Sequence, residues 1–255
     1  MALSPDRLNR FARQIIIPEI GGAGQAALAK AHVTLIGLGG IGSPALQYLA
    51  GAGVGTLTLF DDDTVDASNL QRQMIYREAD IGASKVEAAA RWVHEFDSKL
   101  EVRTVGERLV GGNAARHLEP ADVIIDGCDN FATRLAVSDN CVALGKPLVS
   151  AAVGRFQGQV GAFAGHREGQ PCYRCFVGDA FDAEDCDTCA EDGMLGAMAG
   201  WTATFGAMHA IRVILEGVST FGQPDWGKVH VLDGLRSIMR PLKIAKDPEC
   251  KGCGV

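Results

Sequence analysis

Four kinds of residue stand at spacings that could do chemistry: glycines around one turn, two cations, a few carboxylates and paired cysteines. The turn is Gly37-Leu38-Gly39-Gly40-Ile41-Gly42. Such glycines allow a tight bend and let backbone N–H groups at a helix N-terminus approach a phosphate. Asp61 closes the next apolar run, where a carboxylate can accept from ribose hydroxyls. Together they favour an adenine nucleotide, although a turn that only packs strand against helix would use the same glycines.

The cations narrow the choice. Arg72 lies within the polar segment Asp61 to Gln73, and Lys85 follows on the next helical stretch. A hydride-transfer site has little use for them, so an NAD-dependent oxidoreductase rests only on Gly37 to Gly42 and Asp61. ATP does use them: Arg and Lys can neutralise the triphosphate and the charge that develops at the α-phosphorus, while a carboxylate holds magnesium. Asp129 is the expected carboxylate, because it follows the end of the apolar run Val123 to Asp126, and open α/β sheets bind ligands there. Each residue also has a structural reading: a solvated face with i,i+4 pairing for Arg72 and Lys85, a helix cap for Asp129.

Eight cysteines complete the set. Cys172-Tyr173-Arg174-Cys175 and Cys250-Lys251-Gly252-Cys253 form two knuckles, and four thiolates from two such pairs suit a closed tetrahedral zinc site. The long gap between them predicts a staple that ties the C-terminal segment to the body. A third pair, Cys186 and Cys189, lies in an acidic stretch, where neighbouring carboxylates raise a thiol's pKa and disfavour metal. Cys128 and Cys141 sit in apolar surroundings and read as small buried hydrophobes.

The elements that must hold these residues alternate. Apolar β-rich runs at 32–37, 56–60, 100–105, 121–126 and 147–152 are separated by helical periodicity at 43–53, 83–96 and 131–144. That rhythm predicts a Rossmann-like parallel sheet covered on both faces. Later runs at 157–164, 228–232 and 236–243 look antiparallel, extending it into one continuous mixed sheet. Residues 178–192 read as a surface loop, and the uncharged stretch 193–208, too short and polar to span a bilayer, as a buried helix. No linker divides the chain, so residues 1–255 are read as one domain: an N-terminal helical arm (1–30), a nucleotide-binding half (31–152) and a second half with the zinc site (153–255).

Composition sets outer limits. A hydrophobic share of 47% with no repeat or charge block describes a globular chain, and the net charge of −7 disfavours nucleic acid as a partner. The N-terminus carries Arg7, Arg10 and Arg13 and lacks a signal-peptide core, so the expected compartment is the cytoplasm, without a membrane anchor.

The glycine turn, the segment Asp61 to Gln73, the run Asp126 to Asn130 and the cysteine pairs resemble the MoeB/ThiF/HesA family, relatives of ubiquitin-activating enzymes. The resemblance implies that the turn and Asp61 bind ATP, that Arg72 and Lys85 meet its phosphates, and that Asp129 holds Mg2+, with Asn69 and Asn130 close by. It implies that Arg13, in Arg13-Gln14, reaches the ATP of a partner protomer in a homodimer. It keeps zinc on Cys172, Cys175, Cys250 and Cys253, and puts Cys189 where ThiF proteins carry a sulfur-transfer cysteine. The implied reaction is adenylation of the C-terminal glycine carboxylate of a ubiquitin-like sulfur carrier ending in Gly-Gly, with release of pyrophosphate. The carrier would be MoaD-like, serving molybdenum cofactor synthesis, or ThiS-like, serving the thiazole of thiamine; it would bind the second half of the chain, and sulfur would come from an external donor. A non-catalytic docking module for such a carrier is the other class of reading.

Overall fold

The computed structural model describes residues 3–178 and 193–254. Five strands come first: β1 (His32–Ile36), β2 (Thr56–Phe60), β3 (Glu101–Val105), β4 (Val123–Asp126) and β5 (Leu148–Gly154). Three more follow, β6 (Gln157–Phe163), β7 (Lys228–Asp233) and β8 (Ile238–Lys243), and all eight join one sheet in the order β3-β2-β1-β4-β5-β6-β7-β8. Pairings from β3 through β5 are parallel, and those of β6, β7 and β8 are antiparallel. The expected continuous mixed sheet is therefore the observed one.

Burial explains the order. All five residues of β1 are buried, as a central parallel strand requires, whereas every residue of β8 is exposed. Edge position is also what tolerates Pro241, which has no N–H to give a further strand. Along β4 the side chains divide: Val123 and Ile125 join one apolar cluster and Ile124 the other, so both faces of the sheet are covered.

The helices are α1 (Pro5–Arg10), α2 (Ala12–Ile15), α3 (Gly21–Leu28), α4 (Gly42–Ala52), α5 (Lys85–Phe96), α6 (Gly111–Leu118), α7 (Phe131–Ala143), α8 (Tyr173–Val177) and α9 (Gly196–Leu215). The strand β1, glycine turn and α4 follow the expected succession. Two differences stand out. The sequence gives no expectation of α6, which opens on Gly111-Gly112-Asn113, poor helix formers whose helix is held by burying Ala114 and Leu118. The buried helix expected over 193–208 starts later and runs on to Leu215, because its apolar face continues through Ala207, Ala210 and Leu215 against α4 and the sheet. The acidic stretch with Cys186 and Cys189 lies almost wholly outside the described residues. Among the described residues, no helix is long and apolar enough to cross a membrane.

Candidate functional site

Strand order reverses at β1, whose neighbours are β2 on one side and β4 on the other. A crevice opens at such a switch point beyond the carboxyl ends of parallel strands. Here it is a cleft of ≈ 510 Å³. Its first wall is the glycine turn. Gly37 has φ +82°, and a Cβ there would stand 3.1 Å from the Cys128 backbone. A Cβ on Gly42 would lie 1.8 Å from the Gly37 carbonyl oxygen, so no side chain fits where the turn folds back on itself. The turn leads into α4, whose start is closed onto it: the Ser43 amide donates to the Gly39 carbonyl at 3.0 Å, and Pro44 has no N–H to satisfy.

Asp61 holds the turn in place. Its Oδ2 accepts from the Leu38 amide at 2.6 Å and its Oδ1 from the Asp63 amide at 2.9 Å. Burial pushes its carboxyl above the usual range, opposed by the nearby Lys85 ammonium. Each oxygen keeps a further lone pair, so Asp61 can serve the turn and accept from a ligand hydroxyl.

Lys85 does not lie on a solvated helix face. Its side chain is 7% exposed, and Nζ donates to Asp63 Oδ2 at 2.8 Å, while Asp63 itself is 70% exposed. A buried ammonium thus points into the cleft, with an exposed carboxylate as its partner. Arg72 stands opposite, its Nη1 donating to the Ser68 carbonyl one turn back at 2.8 Å. Asn69 is engaged by its own backbone, Oδ1 accepting from the Asp66 amide at 3.1 Å.

The structure separates Asp129 from Asn130. The N-cap of α7 is Asn130, whose Oδ1 accepts from the Thr133 amide at 2.9 Å. Asp129 is exposed at the cleft wall and is not the cap. Three residues before Asp129, Asp126 ends β4 fully buried and pairs with Arg134 at 3.4 Å, the guanidinium also donating to Ser150 Oγ at 3.1 Å and the Ala151 carbonyl at 2.9 Å. A further bond from Arg134 reaches the Cys128 carbonyl, so one side chain ties the loop after β4 to β5. Cys128 departs from the expected buried hydrophobe: it is partly exposed and lines the cleft, although burial and Asp126 push its thiol up. Cys141 is buried, as expected.

Of the residues singled out by sequence, Gly37, Gly39, Gly40 and Asp61 line the cleft with Asn69, Arg72, Lys85, Asp129 and Asn130. Gly42 acts from behind, by allowing the fold-back. Arg13 does not belong to the cleft of its own chain; it is exposed on α2. Three contributors carry no distinctive spacing. Arg134 is one; Tyr76 is another, its buried hydroxyl 3.2 Å from the Leu38 carbonyl and 3.4 Å from that of Lys85, bridging turn and α5. Gln73 is the third, 2% exposed, with Oε1 lacking a partner among the described residues beside the turn.

The cysteine staple forms at the far end of α7. Cys172, Cys175, Cys250 and Cys253 bring their sulfurs within 4.8 Å of one another. Separations of 3.6 Å for Cys172 and Cys250, and 3.5 Å for Cys175 and Cys253, approach the ~3.8 Å edge of a tetrahedron with Zn–S bonds of ~2.3 Å. Four thiols at that spacing fit zinc and leave no open coordination position. Arg174, bonded to Asp139 at 2.6 and 2.7 Å, fixes the first knuckle to α7.

Known proteins resemble this chain in sequence and in fold. The chain is 38% identical over 252 residues to the Anopheles gambiae protein named adenylyltransferase and sulfurtransferase MOCS3, covering 98% of this chain and 56% of that one. It therefore spans little more than half the length of that relative. The sulfur carrier protein adenylyltransferase of Thermus thermophilus is 37% identical over 257 residues, covering 100% of this chain and 93% of its own. The crystal structure of Escherichia coli MccB with ATP superposes with a TM-score of 0.77 at 22% identity, over 96% of this chain and 74% of that one, a likeness of fold. The sequence profile of the ThiF family matches residues 11–252, which takes in the glycine turn, the whole cleft and three of the four staple cysteines, so this chain belongs to the ThiF family.

Proposed function

We propose that this chain adenylates the C-terminal glycine carboxylate of a ubiquitin-like sulfur carrier with ATP. The observation that carries the reading is the buried Lys85 ammonium facing Arg72, Asp129 and the glycine turn in one cleft. A carboxylate oxygen of the carrier attacks the α-phosphorus; the new P–O bond forms as the bond to the bridging oxygen breaks, and pyrophosphate leaves with that electron pair. The carboxylate is already nucleophilic, so no general base is needed, and in-line positioning with charge neutralisation carries the rate. Turn amides and Lys85 meet the phosphates, Arg72 joins them, and Asp61 orients the ribose. Asp129 is the residue to hold Mg2+, which when bound offsets triphosphate charge. Lys85 would exchange Asp63 for phosphate, a cheap exchange because Asp63 is already mostly in water.

The homodimer belongs to the same proposal: Arg13, exposed and away from its own cleft, would complete the site of a partner protomer. Zinc at the four cysteines would be structural, tying the C-terminal segment to α8. The relatives named for sulfur carriers support the substrate class. Pro171 to Cys175 and Gly193 to Gly200 favour a MoaD-like carrier; Asp61 to Asp63 and Asn130 to Arg134 favour a ThiS-like one. Exchange of labelled pyrophosphate into ATP, measured with each carrier type in turn, tests the reading. Exchange with one carrier supports adenylation and chooses the pathway; no exchange with either, in protein with intact zinc and added magnesium, overturns it.

A further inference from the structure

On the far side of the sheet from α7, a second cluster of metal-ligating groups has no part in the cleft. His209 projects from α9, His230 from β7, and Asp225 lies just before that strand. Their ligand atoms all lie within 4.8 Å of one another. His230 Nε2 stands 3.4 Å from Asp225 Oδ2, and the two imidazole centroids are 5.3 Å apart.

This is an unusual thing to bury without a purpose. His209 is 0% and His230 6% exposed. Among the described residues, neither ring nitrogen of His209 has a hydrogen-bond partner, and neither does His230 Nδ1. A buried polar group left unpaired costs about 1–3 kcal/mol, and here three nitrogens share one place. Aromatic packing does not satisfy them: Phe205 meets both rings edge-on at 4.8 and 5.1 Å, which supplies hydrocarbon and no acceptor.

We propose that His209, Asp225 and His230 form a second metal site that takes a divalent transition ion of the zinc class. Two imidazoles and a carboxylate are a donor set for zinc and its neighbours, whereas magnesium and calcium prefer all-oxygen surroundings. The 3.4 Å separation of His230 Nε2 and Asp225 Oδ2 matches the edge of a tetrahedron with bonds of about 2.0–2.1 Å. Lys228 Nζ occupies Asp225 Oδ1 at 2.7 Å and leaves Oδ2 to the site; Lys228 and Arg212, whose guanidinium lies over the Phe221 ring, are nearby cations whose repulsion the Asp225 carboxylate must offset. Three protein ligands leave the fourth position to water. The bound ion would pin α9, which packs across β4, β5 and β6, to β7 as well.

The test is metal content and needs no activity. Full-length protein equilibrated with zinc and freed of loose metal is expected to carry two zinc ions per chain by mass spectrometry, and His230→Ala one. Asp225→Asn, at a half-exposed position, is expected to lose the same equivalent and serves if His230→Ala does not fold. Cobalt added to protein that carries one zinc per chain, at the cysteine staple, is expected to show d–d bands without thiolate charge transfer. One zinc per chain in the unaltered protein overturns the proposal. So does a second equivalent that survives both substitutions, or one whose cobalt form shows the thiolate charge transfer expected of Cys186 and Cys189.

Discussion

Lys85 concentrates the chemistry of the cleft. Its ammonium is withdrawn from water and partnered by a carboxylate that is not, so a triphosphate can take Asp63's place at little cost. Lys85→Ala is expected to lower the adenylation rate by about 10²–10³-fold, the usual loss when one transition-state donor is removed, with zinc content unchanged. Pyrophosphate exchange beside zinc analysis checks both parts. Asp129→Ala should likewise abolish exchange and leave zinc in place; normal turnover would remove it from magnesium binding. These residue types were legible in the sequence because charge and glycine leave marks that do not depend on folding. What could not be read was which neighbour takes which task. Asn130 caps α7 and thereby releases Asp129, a choice made by backbone geometry one residue wide.

Elements carry the next layer. Asp126 and Arg134 join the end of β4, the start of α7 and β5 through a buried ion pair with further hydrogen bonds. Asp126→Ala leaves the guanidinium buried without its counter-charge and is expected to cost about 3–5 kcal/mol, read as a lowered urea midpoint. Asn130→Ala removes only a cap and should cost about 1 kcal/mol in the same measurement. The ratio between the two distinguishes a pinned loop from an ordinary helix start. Strand and helix identities were largely legible from periodicity, since a buried parallel strand reads as a continuous apolar run. The start of α6 was not, because Gly111-Gly112 breaks the helical pattern and only the packing of Ala114 and Leu118 restores it.

Over the whole molecule, one long connection ties the C-terminal segment to the body. The cysteine staple joins residues that are 78 apart in sequence, and its sulfur separations suit a four-thiolate zinc site. Chelation with a strong zinc ligand, or Cys250→Ser, is expected to lower the melting temperature by several degrees and expose the C-terminal segment to proteolysis, while leaving the distant cleft able to bind nucleotide. Equal resistance to protease with and without the chelator would count against a structural metal. The proposed dimer has its own test: mixing Arg13→Ala chains with Lys85→Ala chains should restore exchange, since a hybrid pair holds one complete site.

By itself the sequence determined the fold class, the place of the nucleotide-type turn and the membership of the four-cysteine set. Each follows from local periodicity, from the backbone freedom of glycine or from the narrow ligand chemistry of a thiol. Only the tertiary structure decided that Lys85 is buried, that Arg134 locks the cleft wall, and that His209, Asp225 and His230 meet. Those outcomes depend on α9, β7 and the switch between β1 and β4 being brought together, and contacts between residues far apart in the chain leave no periodic trace in its order.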